Sequence, residues 1–350
     1  MHCFRLFVVT TFLISLIIIN NNVFAQKFPD AGSYMNFIGN QNREITKDMM
    51  SYMSAVAHGK SARKVENRRK ELMTTTQDGI KKVKLMTPFE GDKTIRDSTV
   101  AYLVKVNHVL NDDYGKIVNM EEIAEQSYDA MEAYLTAQDL ATDKINEGAK
   151  RLNNIEAEFA KNHKVNMITT KDDLYTKTET AVKVSNYHRI FYLIFFKSYK
   201  QEAYMMDALS KKDINGLEQN KVALQKTSEE GIAKLGPIAP YIGDGSLKTA
   251  CRQMLDFYKM ESTTKINILA NFQLKEEKFN KMKSAFELKS QSERTNEDID
   301  QYNKSLQEFN KGVAEYNATN NMLNAARSKA LDNWNKASAN FLDKHTPRYR

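Results

Sequence analysis

Residues 299–341 read IDQYNKSLQEFNKGVAEYNATNNMLNAARSKALDNWNKASANF. Ile299, Tyr302, Leu306, Phe309, Val313, Tyr316, Leu323, Ala330, Trp334, Ala337 and Phe341 fall on one alternating three-four spacing, interrupted by the polar Asn320 and Arg327. An apolar stripe of that period marks a helix that packs lengthwise against another helix. The partner precedes it. Phe272, Phe279 and Phe286 stand seven apart, and the polar stretch 289–298 between the two reads as a hairpin loop. The chain is therefore expected to end in an extended antiparallel coiled-coil hairpin.

Working back, the same pattern appears in shorter form. At an offset of 152 residues, Tyr52-Met53 falls on Tyr204-Met205, Gly79-Ile80 on Gly231-Ile232, Pro88-Phe89 on Pro240-Tyr241 and Gly91-Asp92 on Gly243-Asp244. At an offset of 182, Tyr134 falls on Tyr316, Phe159 on Phe341 and His163 on His345. The second offset exceeds the first by 30 residues, which the longer hairpin takes up at about 15 per helix, or about 22 Å. The fold class expected is all-α: two tandem, sequence-related four-helix bundles over residues 26–175 and 176–350. In the first copy, helices are expected near 33–58 and 61–86, with Ser33 and Ser61 as N-caps. A turn follows at 88–92, a third helix starts near Thr94, and a fourth ends near His163.

Residues 1–25 read as a secretory signal peptide: one basic residue, an apolar run over 6–19, and the small-x-small exit Val23-Phe24-Ala25. The run is shorter than the roughly 20 residues needed to span a membrane. Localisation is thus expected to be exported, in the periplasm or at the cell surface. Cys3 precedes the apolar core, so it cannot accept a lipid, and Cys251 alone remains for the mature chain, which excludes an intramolecular disulfide framework.

The net charge is +7, and Arg5 in the signal accounts for one of those charges. The remaining excess lies in one segment. Lys60, Arg63, Lys64, Arg68, Arg69, Lys70, Lys81, Lys82 and Lys84 face only Glu66, Glu71 and Asp78, whereas the matching segment 212–236 is near neutral. These nine residues are the anion-binding candidates. An anionic envelope glycan, lipopolysaccharide or a membrane surface is the partner class that fits; nucleic acid is not expected.

Other candidates have simpler readings. No His lies three or four residues from another, and no Glu-x-x-His motif appears, so no metal is expected. His163 and His345 fit helix C-termini, where the dipole favours an imidazolium. Cys251 and the numerous methionines read as core. The apolar run 190–196 reads as core between the copies. Gly-rich phosphate loops, nucleophile elbows and Cys-x-x-Cys motifs are absent, and no cofactor is expected.

The stretch 51–66, SYMSAVAHGKSARKVE, resembles part of an uncharacterised family of exported helical bacterial surface proteins. The resemblance covers under a tenth of the chain and implies an envelope location, with no activity or site residues. The function expected is that of a non-enzymatic envelope binding or structural protein, contacting an anionic component through the basic helix. The long hairpin is the candidate surface for a protein partner or self-association. The alternatives are a membrane-active helical pore-former, or an enzyme or metal carrier of an unrecognised kind.

Overall fold

The computed structural model describes residues 27–113, 125–167 and 173–349; the segment 1–25 expected to be a signal peptide and part of the join between the third and fourth helices lie outside them. Among the described residues the chain is all-α, with no strand. Among the described residues nine α-helices appear in order: α1 Ala31–Ala57, α2 Ala62–Lys84, α3 Thr94–His108, α4 Tyr128–Asn162, α5 Asp173–Ser210, α6 Ile214–Leu235, α7 Ser246–Met260, α8 Ile266–Leu288 and α9 Asn296–His345. The π-turn Val109–Asp113 follows α3, and the π-turn Glu261–Lys265 joins α7 to α8. Thr94 and Ser246 are 152 residues apart, as are His108 and Met260, so α3 and α7 match at both ends.

The caps differ in part from expectation. Asp30, not Ser33, caps α1: its carboxylate accepts the Ser33 N–H at 2.7 Å, and Ser33 lies inside the first turn. An extended aspartate ahead of the helix reaches the open amide directly. Ser61 occupies the N-cap position of α2, but its side chain accepts no bond.

Two turns between helices are built alike. Phe89 and Asp92 exchange backbone hydrogen bonds at 3.0 and 2.8 Å, and Tyr241 and Asp244 do so at 3.1 and 2.9 Å. The intervening residues have positive φ: Glu90 at 51° and Gly91 at 87°, Ile242 at 48° and Gly243 at 80°. Two successive left-handed residues make a primed turn, which explains the Gly at each second position. Asp92 then accepts the Thr94 N–H and Asp244 the Ser246 N–H, capping the next helix. The other carboxylate oxygen holds a histidine: His163 Nε2 lies 3.3 Å from Asp92, and His345 Nε2 lies 2.9 Å from Asp244. His163 is the C-cap residue of α4 and His345 the last residue of α9, so each also sits at a helix C-terminus. Among the described residues no group of three metal-ligating side chains converges.

Separate cores serve the two halves. Tyr34, Ile38, Val83, Ile95 and Phe159 close one cluster between α1–α4, and Ile45, Leu72, Leu103 and Leu110 another. The largest gathers Phe191, Phe195, Leu224, Cys251, Leu255, Leu323, Trp334 and Phe341, and it takes in Met131 from α4. The apolar run 190–196 belongs here: Phe195 stacks on Trp334 at 4.7 Å, although Ile190 is half-exposed. Cys251 is fully buried, and burial pushes its thiol up to about 12. Met50 of α1 packs on Leu174 and Ala181 of α5, joining the halves.

Beyond this core α8 and α9 run antiparallel. Tyr316 meets Phe272 at 4.8 Å, Phe309 stacks on Phe279 at 4.5 Å, and Tyr302 stacks on Phe286 at 4.5 Å. Thr295 and Asp298 form a reciprocal capping box at the start of α9. Leu323, Trp334 and Phe341 are buried, whereas Tyr302, Leu306, Phe309 and Tyr316 are half-buried, because two helices alone cover only one side of a seam.

Candidate functional site

Helix α2 places eight of the nine basic candidates on different sides of its axis, and Lys60 lies in the turn before it. Leu72, Thr76, Gly79 and Val83 are buried and set its inner face. Opposite them, positions 63, 67, 70, 74, 77 and 81 recur at three-four spacing, and all six are exposed. They carry Arg63, Asn67, Lys70, Thr74, Gln77 and Lys81, so this outward stripe contains no acid. It spans about 27 Å at 1.5 Å per residue. The acids sit on the flanks. Glu71 holds Arg68 at 2.6 Å, Glu66 holds Arg69 at 2.8 Å and lies 3.7 Å from Lys70, and Asp78 lies 3.3 Å from Lys81.

Arg69 is therefore not part of the outer surface. Its side chain is 16% exposed, and Nη1 donates to the Leu110 carbonyl at 3.2 Å, tying α2 to the π-turn after α3. The Arg69 hydrogen bond holds the Glu66 carboxyl below its ordinary value. Lys60, Arg63, Lys64, Lys82 and Lys84 make no ion pair among the described residues. On α6 the positions matching the stripe are Asn215, Gln219, Val222, Lys226, Glu229 and Ala233, also all exposed and without net charge.

At the foot of α2 the chain leaves a cleft of about 580 Å³, lined by Ser54, His58, Lys60, Arg348 and Tyr349. The tail after α9 returns to the α1–α2 corner here, and the Tyr349 N–H donates to Ser54 Oγ at 3.0 Å. Asp343 accepts from His58 Nδ1 at 2.8 Å and from Arg348 at 2.6 Å.

A second polar centre lies where α9 crosses α5 and the Glu261–Lys265 π-turn. Arg327, on the seam of α9, donates through Nε to Glu202 and through Nη2 to Glu261, and through Nη1 to Asn324. Glu261 is completely buried and Glu202 is 5% exposed. Glu261 Oε2 and the neighbouring Tyr258 hydroxyl have no hydrogen-bond partner among the described residues. Desolvation raises the Glu261 carboxyl to about 7 against the pull of Arg327, and also raises Glu202. Two carboxylates facing one guanidinium leave an excess buried negative charge, which a proton on Glu261 removes.

The matching positions in the first half are apolar. Glu202, Tyr258 and Glu261 correspond at the 152 offset to Met50, Val106 and Val109, and Arg327 at the 182 offset to Ile145. Met50, Val106 and Val109 are buried, and Ile145 packs against Val109. The packing thus does not require the charges. No local motif links Glu202, Glu261 and Arg327, and the sequence reading missed them; the one signal that could have found them is an arginine on an otherwise apolar seam, which needs a buried acid opposite it.

Comparison of the chain with known protein families, curated proteins and solved structures finds no match.

Proposed function

We propose that this chain is an exported, non-enzymatic helical protein of the cell envelope that contacts an anionic glycan, lipopolysaccharide or membrane surface through the outward stripe of α2. The observation that carries the reading is the contrast between two equally exposed helix faces. Arg63, Lys70 and Lys81 line an acid-free stripe on α2, while the corresponding face of α6 has no net charge. Charge that the architecture does not need is available for a partner.

We further propose that the architecture is a tandem duplication of a four-helix unit, α1–α4 and α5–α9 with α7 and α8 continuing through the π-turn Glu261–Lys265 as one third helix, whose second copy is extended by a coiled-coil hairpin from α8 and α9. The paired turns with their Asp–His contacts, the coincident ends of α3 and α7 and the repeated π-turn support it. Export rests on the leader-like segment 1–25. Among the described residues no helix is long and apolar enough to cross a membrane. The hairpin end, with Leu288 and Ile299 exposed and Phe309 half-buried, is the surface offered to a protein partner or a second copy.

Adsorption to phosphatidylglycerol vesicles tests the stripe. Arg63→Gln, Lys70→Gln and Lys81→Gln together should weaken adsorption and flatten its salt dependence, since screening acts over about 8 Å at physiological ionic strength. Arg69 is left intact because it anchors α2 to Leu110. Adsorption unchanged in the triple variant would sink the reading.

A further inference from the structure

A π-turn follows the third helix in both halves, but only one of the two carries charge. Val109 opens the first and Glu261, 152 residues on, opens the second. Val109 packs with Ala141 in an apolar cluster, whereas Glu261 accepts from Arg327 of α9, which also holds Glu202 of α5. The copy with the acid is the one whose helices run on as the α8–α9 hairpin. A π-turn interrupts the regular helical ladder and is often used functionally.

Glu261 sits where the hairpin leaves the bundle. Its π-turn joins α7 to α8, Arg327 lies on α9 and Glu202 on α5, so one guanidinium ties both arms of the hairpin to a bundle helix. Further ties of α8 to the α5–α6 corner are Gln273, which donates to the Leu209 carbonyl at 2.7 Å, and Glu276, paired with Lys212 at 2.6 Å. The Arg327 side chain is 17% exposed and the adjoining Asn324 is exposed, so a small shift of α9 admits water to Glu261 without uncovering Trp334.

The groups around Glu261 do not balance its charge. Arg327 faces it from α9 and Glu202 from α5, and the Tyr258 hydroxyl of α7 lies in the same field with Tyr199 of α5 behind it. Helix α6 brings Lys221, held by Glu218 at 2.5 Å and by Asn267 of α8 at 3.1 Å. Lys259 of α7 is held by Glu229 at 3.1 Å, and Lys265 at the end of the π-turn is half-exposed. Among the described residues none of these lysines pairs with Glu261, and its Oε2 has no donor. A buried carboxylate oxygen without a donor is costly, and a proton on it removes the excess charge. Burial accordingly raises the Glu261 carboxyl to about 7.

We propose that Glu261 is a proton-operated latch for the hairpin: with a proton on its free oxygen the Arg327 clamp holds α8 and α9 against α5, and loss of that proton loosens the hairpin root while the rest of the half stays packed. The latch sets how freely the hairpin end moves to meet a partner. It is independent of the basic stripe on α2, and its failure leaves that reading standing.

Native hydrogen exchange of the full chain, corrected for the intrinsic pH dependence of amide exchange, reads the latch. The closed state binds the proton more tightly, so closure is favoured at low pH and weakened as pH rises through about 7. Peptides from 261–273 and 320–330 should lose protection by about thirtyfold between about pH 5.5 and 8.5, the ratio set by a carboxyl at about 7 when closed and 4.5 when open. Peptides from α1–α3 and α6 should change far less. Glu261→Gln keeps the shape of the protonated acid and should hold the root closed at both pH values. Glu202→Gln leaves one carboxyl for one guanidinium, so Glu261 should ionise in place and most of the pH response should vanish. Root protection that is independent of pH in the parent, or that falls as much in Glu261→Gln, overturns the latch. Equal loss across α5, α6 and α7 overturns it too, because the whole half would then be opening. The parent's pattern alone decides between these outcomes if a variant fails to fold.

Discussion

Replacing the Glu202–Arg327–Glu261 centre by apolar residues tests whether its charges hold the second half together. Arg327→Met alone removes the guanidinium and leaves two buried carboxylates opposite nothing, with Glu261 already completely buried. Losing one partner of a buried pair costs about 3–5 kcal/mol. Glu202→Met, Glu261→Leu and Arg327→Met together remove all three charges and restore the apolar character that Met50, Val109 and Ile145 have at the matching positions. Side-chain volume is kept close to that of the parent, so the cavity term stays small. The triple variant should therefore regain the stability lost in the single variant, and exceed the parent by about 1–4 kcal/mol if desolvation of the charges dominates. Trp334, the single tryptophan, lies seven residues beyond Arg327 in the same core and is 2% exposed. Urea denaturation at pH 8 followed by its fluorescence reads this half directly. A triple variant as unstable as Arg327→Met would refute the reasoning, because the charges would then be part of what the packing needs.

Three further outcomes follow from the same geometry. A carboxyl titrating at about 7 when folded and 4.5 when free binds more protons in the folded state, so its contribution is fully present below pH 4.5 and is lost as pH rises to about 7. Glu261→Gln should accordingly remove about 3 kcal/mol of pH dependence between pH 4.5 and 8, measured by the same denaturation; equal slopes in parent and variant would exclude the titration. Phe309 stacks on Phe279 but is only half-buried, so Phe309→Ala should cost about 2 kcal/mol, below the about 3–5 of a full core truncation; no change in melting or sedimentation would argue against the α8–α9 packing. Cys251, buried with its thiol pushed up to about 12, should react with a thiol reagent only as fast as its core opens, so labelling in native buffer at the rate seen in urea would contradict its placement.

What the sequence by itself determined rests on short-range requirements. The turns at 88–92 and 240–244 were legible because two consecutive left-handed residues, followed by an aspartate that caps the next helix, leave few alternatives to Gly-Asp. The helical character of α9 was legible because an apolar stripe must stay on one face for many turns to be buried. The basic segment was visible as charge, yet the sequence could not divide it. Only the folded helix shows Arg68 and Arg69 held by acids three residues away, Arg69 turned inward to Leu110, and Arg63, Lys70 and Lys81 on the outer stripe. The polar centre of the second half was decided wholly by tertiary structure. Glu202, Glu261 and Arg327 lie on three helical segments far apart in the chain, and their titration depends on burial that no local pattern records. The cleft at the α1–α2 corner is of the same kind, since Arg348 and Tyr349 reach His58 and Lys60 only because the last helix returns to the first. Backbone geometry and helical period act over a few residues and leave their mark in sequence, whereas desolvation and charge pairing act through space and appear only when distant segments meet.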